Sequence, residues 1–199
     1  MALAMDGAEL FSKCLGQATY VVKQVLPSHY ANDTPDAEYD VEDLVHHMMV
    51  ILNDVARVLD GEESLHGTRV ADGSIDQDAL DISARWQAAA DRVEAALAEV
   101  DLEDVANVDG SEDSIEDYLL KVSGDILIHA WDLGEAIGMP VRFDPRVAET
   151  VMETTVVPNA SALPAHTLFD QPISVPANAD LQTRLLAIFG RTRAWRAAA

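Results

Sequence analysis

The sequence predicts an all-α protein: a four-helix bundle followed by a C-terminal extension of short helices. Three observations carry this reading. Apolar residues recur at helical spacing through four long segments. Capping residues, glycines and prolines mark where those segments start and stop. No run alternates convincingly with the period of two that a half-buried strand requires. At 199 residues the chain reads as one domain, with the core bundle over about 6–138 and the extension over about 139–199.

The first helix, from about 8 to 26, carries Leu10, Cys14, Val21, Val22 and Val25 on its stripe, and Pro27 stops it. The second, 41–59, has Leu44, Met48, Ile51, Leu52, Val55 and Leu59 on one side. The third runs from about 74 or 75 to 100, with Ile82, Trp86, Val93 and Leu97 on its stripe. The fourth opens near Ser114, with Asp117 three residues on as in a capping box, and closes at Gly138 with Pro140 beyond. Asp144-Pro145 reads as an N-cap with proline at the first helical position, opening a shorter helix to about Val157. Residues 158 to 179 hold several prolines and no period, as a long ordered connection lying across the bundle would. Asp180 then caps a last short helix, 181–189, that Gly190 ends.

The formal net charge is −22, a field that repels phosphate backbones and anionic membrane surfaces, so nucleic-acid and membrane partners are not expected. The acids are uneven: Glu99 to Asp117 hold nine of them and no Lys or Arg, which reads as a solvated loop and helix start. Arg184, Arg191, Arg193 and Arg196 lie in the last sixteen positions, and Arg191 is read as a surface ion pair or as a group folded over a site mouth to meet an anionic substrate. Cys14 is the single cysteine, on an apolar stripe, and is read as a buried small hydrophobe. The first residues lack a signal-peptide pattern and no segment approaches a membrane span, so a cytoplasmic protein is expected.

Two segments carry chemistry. In the fourth helix Asp125 and His129 stand four residues apart and share a face, with His129 inside the apolar stripe and Asp125 and Asp132 on its flank. In the second helix His47 flanks the stripe and His46 lies opposite it, as a surface or interface residue. A buried His and a nearly buried Asp need partners. An Asp125–His129 pair without metal is one solution; a divalent metal shared with His47 is another. The fourth helix is also apolar behind, through Leu127, Ile128 and Trp131, a face that the C-terminal extension or a second subunit would cover. A homodimer is expected on that ground. His29, His66 and His166 fall in expected loops without ligand spacing, and no phosphate loop or nucleophile elbow is present.

Three stretches resemble one family: residues 39–47, Tyr-Asp-Val-Glu-Asp-Leu-Val-His-His; residues 125–138, Asp-Ile-Leu-Ile-His-Ala-Trp-Asp-Leu-Gly-Glu-Ala-Ile-Gly; and the closing segment 175–191. They are similar to the DinB-like superfamily of metal-binding helical bundles, and more narrowly to the N-terminal domain of mycothiol-dependent maleylpyruvate isomerase and its actinobacterial relatives. The resemblance implies a metal held by His47, Asp125 and His129, with Asp125 standing where the family has Glu. It implies zinc first, with nickel or iron as alternatives. The isomerase has a further C-terminal domain that helps complete its site, and no such domain is expected here after about residue 157.

Two function classes follow. In the first the protein is a metal-dependent transferase or isomerase taking a mycothiol-like small thiol and an electrophilic substrate, with Asp132 the candidate catalytic residue, orienting a histidine or a water. In the second it is a non-enzymatic homodimeric bundle that binds a small ligand or partner, with Asp125 and His129 a structural polar pair.

Overall fold

The computed structural model describes residues 5–64, 81–108, 111–156 and 171–196. Four long helices form the bundle: α1 (Gly7–Val22), α2 (Val41–Leu59), α3 (Ile82–Leu97) and α4 (Ile115–Ala136). Each starts where a short acceptor side chain meets an orphan N–H. Asp6 accepts from the Glu9 N–H at 2.8 Å, Asp40 from the Asp43 N–H at 2.9 Å, Asp81 from the Ser83 N–H at 3.3 Å, and Ser114 from the Asp117 N–H at 3.1 Å. The expected α2 and the Ser114 start of α4 match. α1 stops at Val22, and single-turn hydrogen bonds carry the chain on to Pro27. The expected first turns of α3 lie outside the described residues, and its end falls at Leu97 rather than about residue 100.

α1 packs on α4 and α3, and α2 packs on the same two helices, so the bundle closes in the order α1-α4-α2-α3. The core runs along its axis through Leu10, Phe11, Leu15, Leu44, Met48, Leu52, Trp86 and Leu119, all fully buried. The Trp86 indole N–H donates to the Thr19 hydroxyl at 2.8 Å, which satisfies its one polar atom inside that core.

One element departs from the helical reading. Val105–Val108 (β1) and Ser111–Ser114 (β2) pair as an antiparallel hairpin, in register from Val105 opposite Ser114 to Val108 opposite Ser111. It lies inside the acid run expected to be loop. Four-residue strands are too short to show a period, and only Ala106 of β1 is buried, so the pairing rests on backbone hydrogen bonds rather than on an apolar face.

Beyond α4 the chain turns at Gly138, whose φ of 72° is the left-handed conformation of a helix C-cap glycine. α5 (Pro145–Val151) follows, capped by Asp144 as expected, and continues as a π-helical turn, Met152–Val156. The expected connection lies partly outside the described residues. Its described part is irregular and is tied to α6 (Leu181–Ile188) by the Ile173 N–H on the Ala187 carbonyl at 2.8 Å. α6 starts at the Asp180 cap, and Gly190, at φ 74°, lies just past its end.

α4 is the central element. Every residue from Ile126 to Gly134 is buried. Leu127, Ile128 and Trp131 are covered within the single chain, where α1, α5 and the π-helical turn pack on α4. That face is not available to a second subunit, so the ground for expecting a homodimer is removed.

Gly134 shows how tightly the return segment is laid on α4. A Cβ there would collide with Val141 Cγ2 and stand 2.7 Å from the Met139 carbonyl oxygen. Gly134→Ala is therefore expected to lower stability by about 1–3 kcal/mol through overpacking, despite alanine's better helix propensity. Urea unfolding of the variant beside wild type measures this, and an unchanged or raised midpoint would contradict the packing described.

Candidate metal centre

The Asp40 cap fixes the start of α2, and this sets His47 in the second turn, on the flank of a face that buries Leu44, Val45 and Met48. From α4, His129 faces the same seam with 2% of its surface exposed. The two imidazole rings meet edge to face, centroids 5.0 Å apart and planes at 90°. Tyr39, just before the cap, stacks on the other side of His47 at 4.9 Å and 18°, with its hydroxyl oxygen 3.4 Å from Nδ1. His47 is thus half-buried between an aromatic face and a second imidazole.

His129 Nδ1 lies 3.4 Å from Asp132 Oδ2, one helical turn on. Asp132 is fully buried and receives the Arg191 guanidinium: Nε donates to both carboxylate oxygens at 3.2 Å, and Nη2 to Oδ2 at 3.1 Å. Nη2 also donates to Asp36 Oδ2 at 2.5 Å, and Nη1 to the Phe189 carbonyl at 3.2 Å. Asp36 is held in a turn, with its other oxygen accepting from the Glu38 N–H and its own N–H donating to the Thr34 hydroxyl. Burial by itself would lower the Arg191 pKa, but Asp132 and then Asp36 outweigh it and hold the group above its ordinary value, so it stays a cation.

This corrects the reading of Arg191. It is neither a surface pair nor a group reaching for substrate: both its carboxylates come from the chain itself, 59 and 155 residues away. Ligand-type atoms of Asp36, His129 and Asp132 lie within 4.8 Å of one another. A divalent ion among them would have to displace a guanidinium that already bridges both carboxylates. We therefore read that group as an ion-pair cluster whose cation is Arg191.

The predicted residues come together unevenly. His47, His129 and Asp132 converge. Asp125 stands one turn nearer the start of α4, half-buried. His129 meets Asp132, a partner that neither sequence alternative named for it. Asp125 adds to the field on Tyr118, whose pKa is raised first by burial, then by Asp54, and least by Asp125. The Tyr118 hydroxyl donates to Asp54 Oδ2 at 2.9 Å and the Ser64 hydroxyl to the same oxygen at 2.7 Å, all three residues being buried. The α2–α4 seam thus holds a second polar cluster. A signal for it was present in the sequence: Asp54 sits two turns after His47, between the apolar Ile51 and Val55. Asp36 left no such signal.

The remaining candidates fall where their surroundings send them. His46 is half-buried, with the Arg85 Nη1 group 3.4 Å from its Nε2. The His29 ring accepts from the Leu26 N–H at 3.2 Å, and His66 and His166 lie outside the described residues. Cys14 is fully buried, and burial pushes its thiol up to about 12. An unfolded thiol titrates at about 8.5, so between there and 12 the native state holds the extra proton. The stability this contributes is intact below about pH 8.5 and is lost as pH rises toward 12. Native protein at pH 8 is accordingly expected to resist alkylation by iodoacetamide, with rapid labelling only in denaturant. Rapid labelling of the native chain would show that the thiol is reached.

Two imidazoles on one tetrahedral zinc, with bonds of about 2.0–2.1 Å, place their ring centres about 5 Å apart. The separation of 5.0 Å fits that arrangement. A family model described as the mycothiol maleylpyruvate isomerase N-terminal domain matches residues 16–134, more than half of the chain. The chain belongs to this family. No curated protein and no solved structure matches it. The region shared with the mycothiol maleylpyruvate isomerase N-terminal domain spans Asp36, His47, Asp125, His129 and Asp132, and ends before Arg191.

Proposed function

We propose that the protein is a metal-dependent transferase or isomerase that uses a small thiol of the mycothiol kind and acts on an electrophilic substrate. The observation that supports this most is the meeting of two imidazoles from separate helices, 5.0 Å apart, within a fold of the mycothiol isomerase family. His47, Asp125 and His129 would hold the ion, and two imidazoles with a carboxylate are a donor set that zinc takes and that nickel or iron can also take. A divalent ion held by three protein ligands favours the deprotonated form of a thiol that reaches it.

The other residues of the site position these groups. Asp132 is a positioning residue: its Oδ2, 3.4 Å from His129 Nδ1, selects the tautomer with the proton on Nδ1, so the ligating nitrogen is Nε2. Arg191 fixes the Asp132 carboxylate, and Asp36 fixes Arg191. The Tyr39 ring sets the plane of His47. On this reading the C-terminal extension belongs to the same domain as the bundle, since it supplies the cation of the network.

The test is the conjugation of 1-chloro-2,4-dinitrobenzene with mycothiol, followed for zinc-loaded and metal-stripped full-length protein. Acceleration by the loaded protein that disappears on stripping, and in His47→Ala, supports the reading. A rate equal to the protein-free reaction in all three samples goes against it.

A further inference from the structure

Arg191 fills a place built for a cation. Its Nη2 group lies between Asp36 Oδ2, at 2.5 Å, and Asp132 Oδ2, at 3.1 Å. His129 Nδ1 stands 3.4 Å from the same Asp132 oxygen. A ligand-type atom from each of Asp36, His129 and Asp132 lies within 4.8 Å of the other two. All three residues are buried, so whatever cation sits among them sits in a dry place.

Three features set this group apart from a chance gathering of acids. An imidazole stands with the two carboxylates, a donor mixture that zinc takes. Two donors on one tetrahedral ion, with bonds of about 2.0–2.2 Å, stand about 3.4 Å apart. His129 Nδ1 and Asp132 Oδ2 have that spacing. The third feature is that a cation is seated there, and it is delivered from elsewhere in the fold. Leu185, Leu186 and Phe189 bury the end of α6, the Arg191 N–H donates to the Leu186 carbonyl at 2.8 Å, and Nη1 donates to the Phe189 carbonyl at 3.2 Å. The extension thus places the guanidinium, whereas the carboxylates belong to α4 and to the turn before α2.

We propose that Asp36, Asp132 and His129 form a divalent-ion site that the chain occupies with its own Arg191. A guanidinium and a divalent ion cannot share it, because both need the Asp132 carboxylate and the two cations repel each other. With Arg191 docked, Asp132 is an ion-pair partner. With Arg191 gone, it is a ligand. Arg191 is therefore a specificity-determining residue: it decides which groups on α4 are open to an ion. The inference does not depend on an ion between His47 and His129, and its test is made where that pair is broken.

The probe is zinc, measured by competition with a chromophoric chelator on full-length His47→Ala and His47→Ala/Arg191→Ala. Alanine vacates the volume of the guanidinium, which leaves room for an ion. The expected result is one zinc per chain in the double variant, bound about ten-fold or more tighter than any zinc on His47→Ala. Zinc should also raise the urea midpoint of the double variant and leave that of His47→Ala unchanged. Adding Asp36→Asn should abolish both effects, and His47→Ala/Arg191→Lys, which keeps a cation in place, should behave as His47→Ala. If the double variant is unfolded without zinc, its refolding on zinc addition, read by circular dichroism, is the expected result. Equal zinc affinity in His47→Ala and the double variant overturns the proposal. So does a double variant that zinc neither binds nor refolds, or binding that survives Asp36→Asn unchanged.

Discussion

Replacing Arg191 with methionine is expected to cost about 3–5 kcal/mol of folding stability, the range for removing one partner of a buried ion pair. The side chain is 1% exposed and bridges two carboxylates that are themselves 0% and 9% exposed. Without it, Asp132 and Asp36 face each other across a dry space with no cation between them. Two carboxylates would then lie buried without the guanidinium that bridges them, which is the source of the expected loss. Arg191→Lys should recover only part of the loss, because one ammonium cannot reproduce a fork that donates Nε and Nη2 to Asp132 while Nη2 also reaches Asp36. Urea unfolding of wild type, Arg191→Met, Arg191→Lys and Arg191→Met/Asp36→Asn measures all of this. The double variant should be more stable than Arg191→Met, since one stranded charge has gone. A loss below about 1 kcal/mol in Arg191→Met would mean that the network behaves as a surface pair does, and the account of a buried clamp would fail.

The second large effect is on metal affinity. His129→Ala and His47→Ala are each expected to abolish tight zinc binding, read by competition with a chromophoric chelator. Asp132→Asn keeps the shape but weakens the acceptor on His129 Nδ1, and should reduce affinity about 10–100-fold, as loss of a ligand-orienting carboxylate does. Folding separates the two histidines. His47 is half-buried, so His47→Ala should unfold close to wild type, whereas His129 is 2% exposed and its removal leaves a cavity beside Asp132. Loss of zinc in a stably folded His47→Ala is therefore the cleaner result. Unchanged affinity in that variant would remove His47 from the site.

What the sequence disclosed and what it hid divide along the range of the interactions. The 41–59 span of α2, the Ser114 and Asp144 caps, and the glycine stops at 138 and 190 are settled by residues within one turn, and all appear as read. The approach of His47 to His129 joins two helix faces: periodicity left it as one of two solutions, and the family resemblance pointed to it. Arg191 could not be placed in that way: nothing near it in sequence announces Asp132, 59 residues back, or Asp36, 155 residues back in a turn without helical periodicity. The hairpin at 105–114 escaped because its partners are matched by backbone and its side chains are mostly acidic or small. Asp54 and Tyr118 were visible as a polar residue in an apolar stripe and an aromatic on the facing helix, but their pairing depends on how α2 and α4 are set against each other, which periodicity does not fix.

The central claim is that His47 and His129, with Asp125, hold one divalent ion. Elemental analysis by plasma mass spectrometry tests it most directly, on full-length protein purified without an affinity tag or chelator, beside His47→Ala and His129→Ala. The account predicts about one zinc, nickel or iron per wild-type chain and none in either variant. Wild-type protein that carries no metal, even after incubation with excess zinc and removal of the unbound ion, would contradict it and leave the paired histidines as part of a polar core.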